Sequence, residues 1–222
     1  MLARTTNNWY DLTMKTKLFI DFDGTIFSTL AFRDKMFEIF TMAGFEEDEI
    51  KSTYAAESLD YLYSAEGNLE RLHKIHEYDI EKARFRMDKL IKTSKDFMFS
   101  DFEEFIRSVD REKYELNLIT LGDLEFQKAK VEASGIVRYF DNVYYCEKQK
   151  WDYLDELVEL NEKFIIIDDR ADNMEKIGKK FKRSFPILMD RQQKDLADPY
   201  LSQQEQYTGI KVKNLKQAGQ YL

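Results

Sequence analysis

The sequence has few of the residues that form disulfides and zinc sites. Its 222 residues include one cysteine, Cys146, and two histidines, His73 and His76. A single cysteine excludes a disulfide within the chain, and so small a set of sulfur and imidazole ligands argues against a zinc site. We expect a structural role for each of these three residues. Any bound metal is expected to be a hard cation held by oxygen atoms.

The sequence also lacks an excess of positive charge and any long apolar run. Its net charge is −8 and its isoelectric point about 5.0, whereas nucleic-acid binding requires clustered lysine and arginine. The apolar runs span a few residues, against the roughly 20 of a membrane helix. The N-terminus has no apolar segment typical of a signal peptide. We therefore expect a soluble, cytoplasmic protein that binds neither nucleic acid nor membranes.

One short stretch organises the rest, residues 17–25 (KLFIDFDGT). Its apolar half predicts a buried strand, and Asp21 and Asp23 share a face because strand side chains alternate. Two carboxylates so close repel each other unless a cation or a shared proton relieves them. Gly24 permits the close backbone approach that a bound anion can use. A cation, an anion and a nucleophilic carboxylate together indicate phosphoryl transfer.

Periodicity divides the chain into an α/β core and a helical insert. The polar, aperiodic residues 1–13 are predicted to form a loose N-terminal segment. Met14 is a candidate alternative start of translation. Residues 30–97 show helical spacing without strand-like alternation, which predicts a helical cap. Residues 14–29 and 98–222 form the predicted core. Within the core, strands are predicted at 115–120, 143–146, 164–167, 185–189 and 210–215, with a loop over 191–208.

From residue 112 onward, predicted strands alternate with helices of about ten residues, which is typical of a doubly wound parallel sheet. Ligands of such sheets bind beyond the carboxyl ends of the strands. The polar groups of interest follow predicted strands at that end: Asp21, Asp23, Thr120, Asp168 and Asp169. Because 99 residues separate Asp21 from Thr120, the helical cap is expected beside the site.

These motifs, in this order, resemble those of the haloacid dehalogenase superfamily. Residues 21–25 match its Asp-x-Asp-x-Thr motif, Thr120 its second motif, a lysine near residue 150 its third, and residues 167–172 (IDDRAD) its acidic fourth motif. The resemblance implies a Rossmann-like core with an inserted cap. It also implies magnesium-dependent hydrolysis of a small phosphorylated metabolite.

The resemblance further assigns roles to individual residues. It makes Asp21 the nucleophile that forms an aspartyl-phosphate, and Asp23 the general acid and then the base. Thr120, with the backbone of Leu121 and Gly122, would hold the phosphoryl oxygens together with Lys150. Lys150 precedes Trp151 and Asp152, similar to the family's Lys-Pro-Asp, although Lys148 is an alternative. Magnesium ligands are expected among five aspartates: Asp21, Asp23 (through its backbone carbonyl), Asp168, Asp169 and Asp172.

Several alternatives stay open at this level. Asp172 and Glu175 also have the spacing of a helix capping box, and Asp169 is ambiguous as a ligand. A phosphomutase would use the same residues, and a non-catalytic phospho-ligand binding protein would keep the fold. Phosphonate cleavage would call for an added lysine on the cap, for which Lys35, Lys51 and Lys74 are present. The sequence does not indicate an oligomeric state.

Overall fold

The computed structural model describes residues 15–59, 62–159, 161–192 and 201–222, except the side chains of 56–59 and 201–203. It shows one sheet of six parallel strands in the order β3-β2-β1-β4-β5-β6. The strands are β1 (Thr16–Ile20), β2 (Tyr114–Leu121), β3 (Asn142–Cys146), β4 (Phe164–Asp168), β5 (Ser184–Met189) and β6 (Ile210–Val212). The predicted α/β class with a parallel sheet is confirmed.

Helices cover both faces of this sheet, as a doubly wound fold requires. Neighbouring residues of β1 belong to different core clusters, Leu18 and Ile20 to one and Phe19 to the other. Strand β4 is buried along its whole length. Such strands carry continuous apolar runs because both of their faces are covered.

The order in which the chain adds strands to the sheet reverses between the two central strands, β1 and β4. From β1 the chain proceeds outward through β2 and β3, and the later strands lie on the other side, starting with β4. Ile20 pairs in register with Leu118 on one side and with Ile167 on the other. The carboxyl ends of β1, β2 and β4 therefore lie at one level, beside the switch point where such sheets bind ligands.

Among the described residues, five α-helices connect β1 to β2: α1 (Thr29–Met42), α2 (Glu47–Leu59), α3 (Ala65–Ile75), α4 (Glu81–Lys92) and α5 (Phe102–Ser108). The first four lie in the predicted helical cap, whose boundaries stay a prediction. The apolar positions from residue 69 to 90 suit one longer helix or a bent pair, and they lie on two helices, α3 and α4. The acidic residues Glu47, Asp48 and Glu49 make the first turn of α2, where the helix dipole favours negative charge.

The α-helices in the rest of the described chain are α6 (Leu124–Ser134), α7 (Lys150–Leu157), α8 (Ala171–Lys180) and α9 (Leu215–Ala218). The predicted last strand is too long, because Asn214 accepts a hydrogen bond from the Gln217 N–H and caps α9. The predicted loop over 191–208 contains a 3₁₀ helix at Leu201–Gln206. The N-terminal segment over 1–13 and Met14 lie outside the described residues.

Within the described ranges, no helix has both the length and the apolar character needed to cross a bilayer. Cys146 is a free thiol at the end of β3. It is fully buried, and burial raises its pKa to about 12. His73 lies 2.9 Å from the Tyr78 carbonyl, and His76 lies 2.8 Å from a carboxylate oxygen of Glu49.

Candidate active site

Asp21 is the first residue after β1, and the sheet fixes its position. Its N–H donates to the Ile167 carbonyl of β4 at 2.9 Å, so the hydrogen-bond ladder continues to the base of the side chain. The residue is 3% exposed. Thr25 donates its hydroxyl to Oδ2 of Asp21 at 3.2 Å. The carboxylate is thus held at the switch point between β1 and β4.

Lys150 joins this carboxylate to a second one. It begins α7 and is buried, and its ammonium donates to Oδ1 of Asp21 and, at 2.6 Å, to Oδ2 of Asp168. Burial opposes the charge of Lys150, but the two carboxylates outweigh it, so its pKa is raised. Lys148 is exposed and pairs with Glu156. The structure therefore places Lys150, and not Lys148, among the site residues.

Three aspartates lie close enough to share a cation. Oxygen atoms of Asp21, Asp168 and Asp169 all lie within 4.8 Å of one another. Burial raises the pKa of Asp21 to about 7 against the opposing charge of Lys150, and burial likewise raises the pKa of Asp169. A buried set of carboxylate oxygens fits a hard divalent cation such as Mg²⁺, which would relieve this repulsion.

Asp168 and Asp169 occupy well-defined positions at the end of β4. Asp168 accepts hydrogen bonds from the Arg170 N–H at 2.8 Å and from the Asn173 amide at 3.3 Å. Asp169 lies against Gly24, where an added Cβ would come 1.9 Å from its Oδ2. Gly24 has φ +72°, a left-handed conformation that favours glycine. The glycine of the first motif thus makes room for an acid of the fourth.

Asp172 is not brought into this cluster. Its carboxylate accepts two hydrogen bonds from the Arg170 guanidinium, at 2.8 and 3.0 Å. The proposed capping box is not formed, because α8 is preceded by Arg170 and Asp172 lies in its first turn. The Asp23 side chain is likewise absent from the three-aspartate group.

Asp23 is instead held by three side chains from two helices. Its Oδ1 accepts from the Thr29 hydroxyl at 2.9 Å, its Oδ2 from the Gln127 amide at 2.9 Å, and both oxygens from Lys130 at 2.8 and 2.9 Å. Burial works against the charged carboxylate, but Lys130 and the two neutral donors prevail, so the pKa of Asp23 is lowered.

Four of these partners lie outside the sequence motifs: Thr29, Gln127, Lys130 and Asn173. Gln127 and Lys130 are buried although their residue types are mostly exposed. Their spacing of three places them on one face of α6. A polar pair on a helix that directly follows Thr120 is the one signal that could have indicated them.

Thr120 lies near the end of β2, two residues beyond Leu118, which pairs with Ile20. Its hydroxyl is fully buried and has no hydrogen-bond partner among the described residues. Buried polar groups are nearly always paired, so this orphan hydroxyl fits a site that takes a ligand oxygen. Gly122 donates its N–H to the Cys146 carbonyl at 3.2 Å, and the Leu121 carbonyl accepts from Gln127 at 3.1 Å.

Comparison with solved structures identifies the fold. A protein described as a haloacid dehalogenase-like hydrolase, from Burkholderia xenovorans, aligns with a TM-score of 0.71 and 15% identity, over 93% of this chain and 96% of that one. The chain has the haloacid dehalogenase-like fold. Magnesium-bound YfnB of Bacillus subtilis, described as a HAD-hydrolase, aligns with a TM-score of 0.62 and 14% identity, over 94% and 98%. The L-2-haloacid dehalogenase of Xanthobacter autotrophicus gives 0.62 and 12%, over 93% and 98%.

No protein-family model matches the sequence, and no curated protein does. At identities of 12 to 15%, the solved structures identify the fold and leave the reaction to be argued from the site.

Proposed function

We propose that this protein is a magnesium-dependent phosphatase that hydrolyses a small phosphate monoester through an aspartyl-phosphate on Asp21. One observation carries the proposal. A buried carboxylate at the switch point, Asp21, is held by Lys150, and a second carboxylate, Asp23, follows two residues later. The first can act as nucleophile while the second transfers protons.

The first step is attack of an Asp21 carboxylate oxygen on phosphorus. The negative charge of the bound phosphate ester favours the protonated form of Asp23 against the effect of Lys130. The bond between phosphorus and the ester oxygen breaks, and the proton of Asp23 goes to that oxygen, so that an alcohol leaves. In the second step water attacks the phosphorus of the aspartyl-phosphate. The water gives its proton to Asp23, the bond to Asp21 breaks, and inorganic phosphate is released with both aspartates restored.

Other site residues would bind the phosphoryl group. The Thr120 hydroxyl supplies a donor for one of its oxygens, and the Lys150 ammonium offsets negative charge next to the nucleophile. Asp21, Asp168 and Asp169, with the backbone carbonyl of Asp23, would hold Mg²⁺. The bound ion would neutralise charge and orient the phosphoryl group for in-line attack.

Asp23 also favours a phosphate ester over a halogenated acid. The leaving alkoxide of an alkyl phosphate is a strong base that needs a proton, whereas a halide leaves without one. The Xanthobacter structure shows that the fold serves dehalogenation in that protein. In this chain, a second carboxylate held by three donors supports an ester substrate.

The proposal is tested by phosphate release from an aryl phosphate and from sugar, nucleotide and glycolate phosphates. Each assay is run with Mg²⁺, with EDTA, and with the variant Asp21→Asn; Asp34→Asn, an exposed acid on α1, is the matched control. We expect release that requires both Mg²⁺ and Asp21 and that survives Asp34→Asn.

Other outcomes identify the alternatives. Halide release from 2-haloacids without phosphate release would overturn the proposal in favour of dehalogenation. Turnover that requires a sugar bisphosphate and returns the phosphoryl group to product would indicate a phosphomutase. A folded protein that binds phosphate but turns over no substrate would indicate a binding protein. Borohydride reduction that leaves substrate covalently attached to a lysine of the protein would indicate phosphonate cleavage through a Schiff base.

A further inference from the structure

Lys130 is a buried cation, and its carboxylate partner among the described residues is Asp23. Its side chain is 4% exposed, and its ammonium lies 2.8 and 2.9 Å from the two Asp23 oxygens. Lysine is rarely buried to this degree, because its charge loses hydration. Lys130 and Asp23 are 107 residues apart in the chain, so this ion pair fixes α6 against the end of β1.

Aromatic rings enclose the same ammonium on its other sides. The Nζ atom lies 4.9 Å from the ring centre of Phe126, 5.3 Å from Phe27 and 5.6 Å from Phe22. The ring of Phe32 lies at 6.0 Å. Ring faces attract cations at these distances. The four rings also leave Lys130 little freedom, so the ammonium is directed at Asp23.

The backbone before α6 is shaped to admit the second donor. Gly122 has φ +155°, and a Cβ there would lie 2.5 Å from the Gln127 Nε2 atom. That nitrogen is the one that donates to Asp23. The missing side chain at Gly122 therefore lets Gln127 reach the carboxylate. Together Lys130, Gln127 and Thr29 give each Asp23 oxygen two donors.

We propose that Lys130 is a positioning residue that, with Gln127 and Thr29, fixes the Asp23 carboxylate for proton transfer to the leaving oxygen and from the attacking water. This inference rests on the proposed function. The three donors immobilise the carboxylate, whereas the nucleophile Asp21 is held by a different lysine. The two lysines thus have separate roles. Lys150 acts at the phosphoryl group, and Lys130 acts on the carboxylate that transfers the proton.

This division has a consequence for substrates. Positioned proton transfer accelerates a step by about 100-fold or more when the leaving group is a strong base. An alkyl phosphate has such a leaving group, whereas 4-nitrophenolate leaves without a proton. The Lys130 arrangement therefore suits the site to alkyl phosphates, such as sugar or hydroxy-acid esters.

The test compares Lys130→Met with the wild-type protein on an alkyl phosphate and on 4-nitrophenyl phosphate, both with Mg²⁺. The value of kcat/KM reports the steps up to transfer to Asp21. We expect it to fall about 100-fold for the alkyl ester and less than about 3-fold for the aryl ester. Because water activation is also impaired, the variant should show a burst of 4-nitrophenolate equal to the enzyme concentration.

Lys128→Met is the matched control, since Lys128 is an exposed lysine on the same helix; it should leave both substrates unchanged. Thr29→Val removes one donor to Asp23 and should give a smaller loss of the same kind, which keeps the test decisive if Lys130→Met fails to fold. Equal losses on both esters in the folded variants, or no loss, would overturn this inference alone. A wild-type protein that hydrolyses neither ester would overturn the proposed function and this inference with it.

Discussion

The Nζ atom of Lys150 lies 2.6 Å from Oδ2 of Asp168, and both groups are almost completely buried. The same ammonium donates to Asp21. One cation therefore partly offsets the negative charge of two acids, one after β1 and one at the end of β4, at the switch point of the sheet. Lys150 therefore links the two strands, and under the proposed function it also acts in catalysis. Its removal should lower both stability and turnover.

We expect Lys150→Met to lose turnover and to lower the free energy of unfolding by about 3 kcal/mol, because breaking a buried ion pair leaves uncompensated charge. Urea unfolding without metal measures the loss. Mg²⁺ should restore part of it, since the ion can offset the same carboxylates. Lys148→Met is the control: Lys148 is exposed and pairs with Glu156 on the surface. Similar unfolding curves for the two variants would contradict the prediction.

The acidic cluster predicts an unusual dependence of stability on pH. The pKa of Asp21 is about 7 in the folded protein and near 3.8 when unfolded. Between these values the folded state keeps a proton that the unfolded state has released. The free energy of unfolding should therefore fall as pH rises from 4 to 7, by up to about 4 kcal/mol in EDTA.

Urea unfolding across this pH range measures that slope. Asp21→Asn should reduce it and leave the part due to Asp169, whose pKa burial also raises. Asp34→Asn, at an exposed acid of α1, should leave the slope unchanged. Saturating Mg²⁺ should also reduce it, because the ion favours the charged carboxylates. A slope as steep in Asp21→Asn as in the wild-type protein would assign the effect to other groups.

The sequence was sufficient for the sheet and for the residues that follow its strands. The apolar run of β4 is long enough to be recognised as a buried strand, and Asp168 and Asp169 come directly after it. Parallel strands end at a common edge, so the meeting of Asp21 with these acids followed from topology. Lys150 followed from the family resemblance, because most lysines in this chain are exposed.

The partners of Asp23 could not be predicted in the same way. Gln127 and Lys130 lie on a helix more than 100 residues away, and the rotation of that helix decides whether its polar residues face solvent or the site. The ends of this helix carry clearer local signals: α6 begins after Asp123, which caps it, and Gly135 follows with φ +73°. Local signals thus placed the helix but did not predict which of its faces is buried.

Thr120 gives a prediction in which stability and binding separate. Its hydroxyl is buried without a partner among the described residues, so Thr120→Val should leave the free energy of unfolding unchanged or slightly raised. Loss of the hydroxyl should weaken inhibition by inorganic phosphate or vanadate about 10-fold or more, because the donor for a phosphoryl oxygen is gone. Thr120→Ser keeps the hydroxyl and should keep the inhibition. Equal inhibition of the valine and serine variants would exclude this role.

Gly24 and Gly135 provide a matched pair of substitutions with which to test the role of Asp169 in metal binding. Both have left-handed backbone, φ +72° and +73°, but an added Cβ would collide with Asp169 at Gly24 and would meet nothing within 4 Å at Gly135. Each alanine variant should lose roughly 1–2 kcal/mol of stability from the backbone alone. Only Gly24→Ala should also displace the Asp169 carboxylate and raise the dissociation constant for Mg²⁺, by about 10-fold or more. Calorimetric titration with Mg²⁺ measures this difference, and equal affinities in the two variants would mean that Asp169 does not bind the ion.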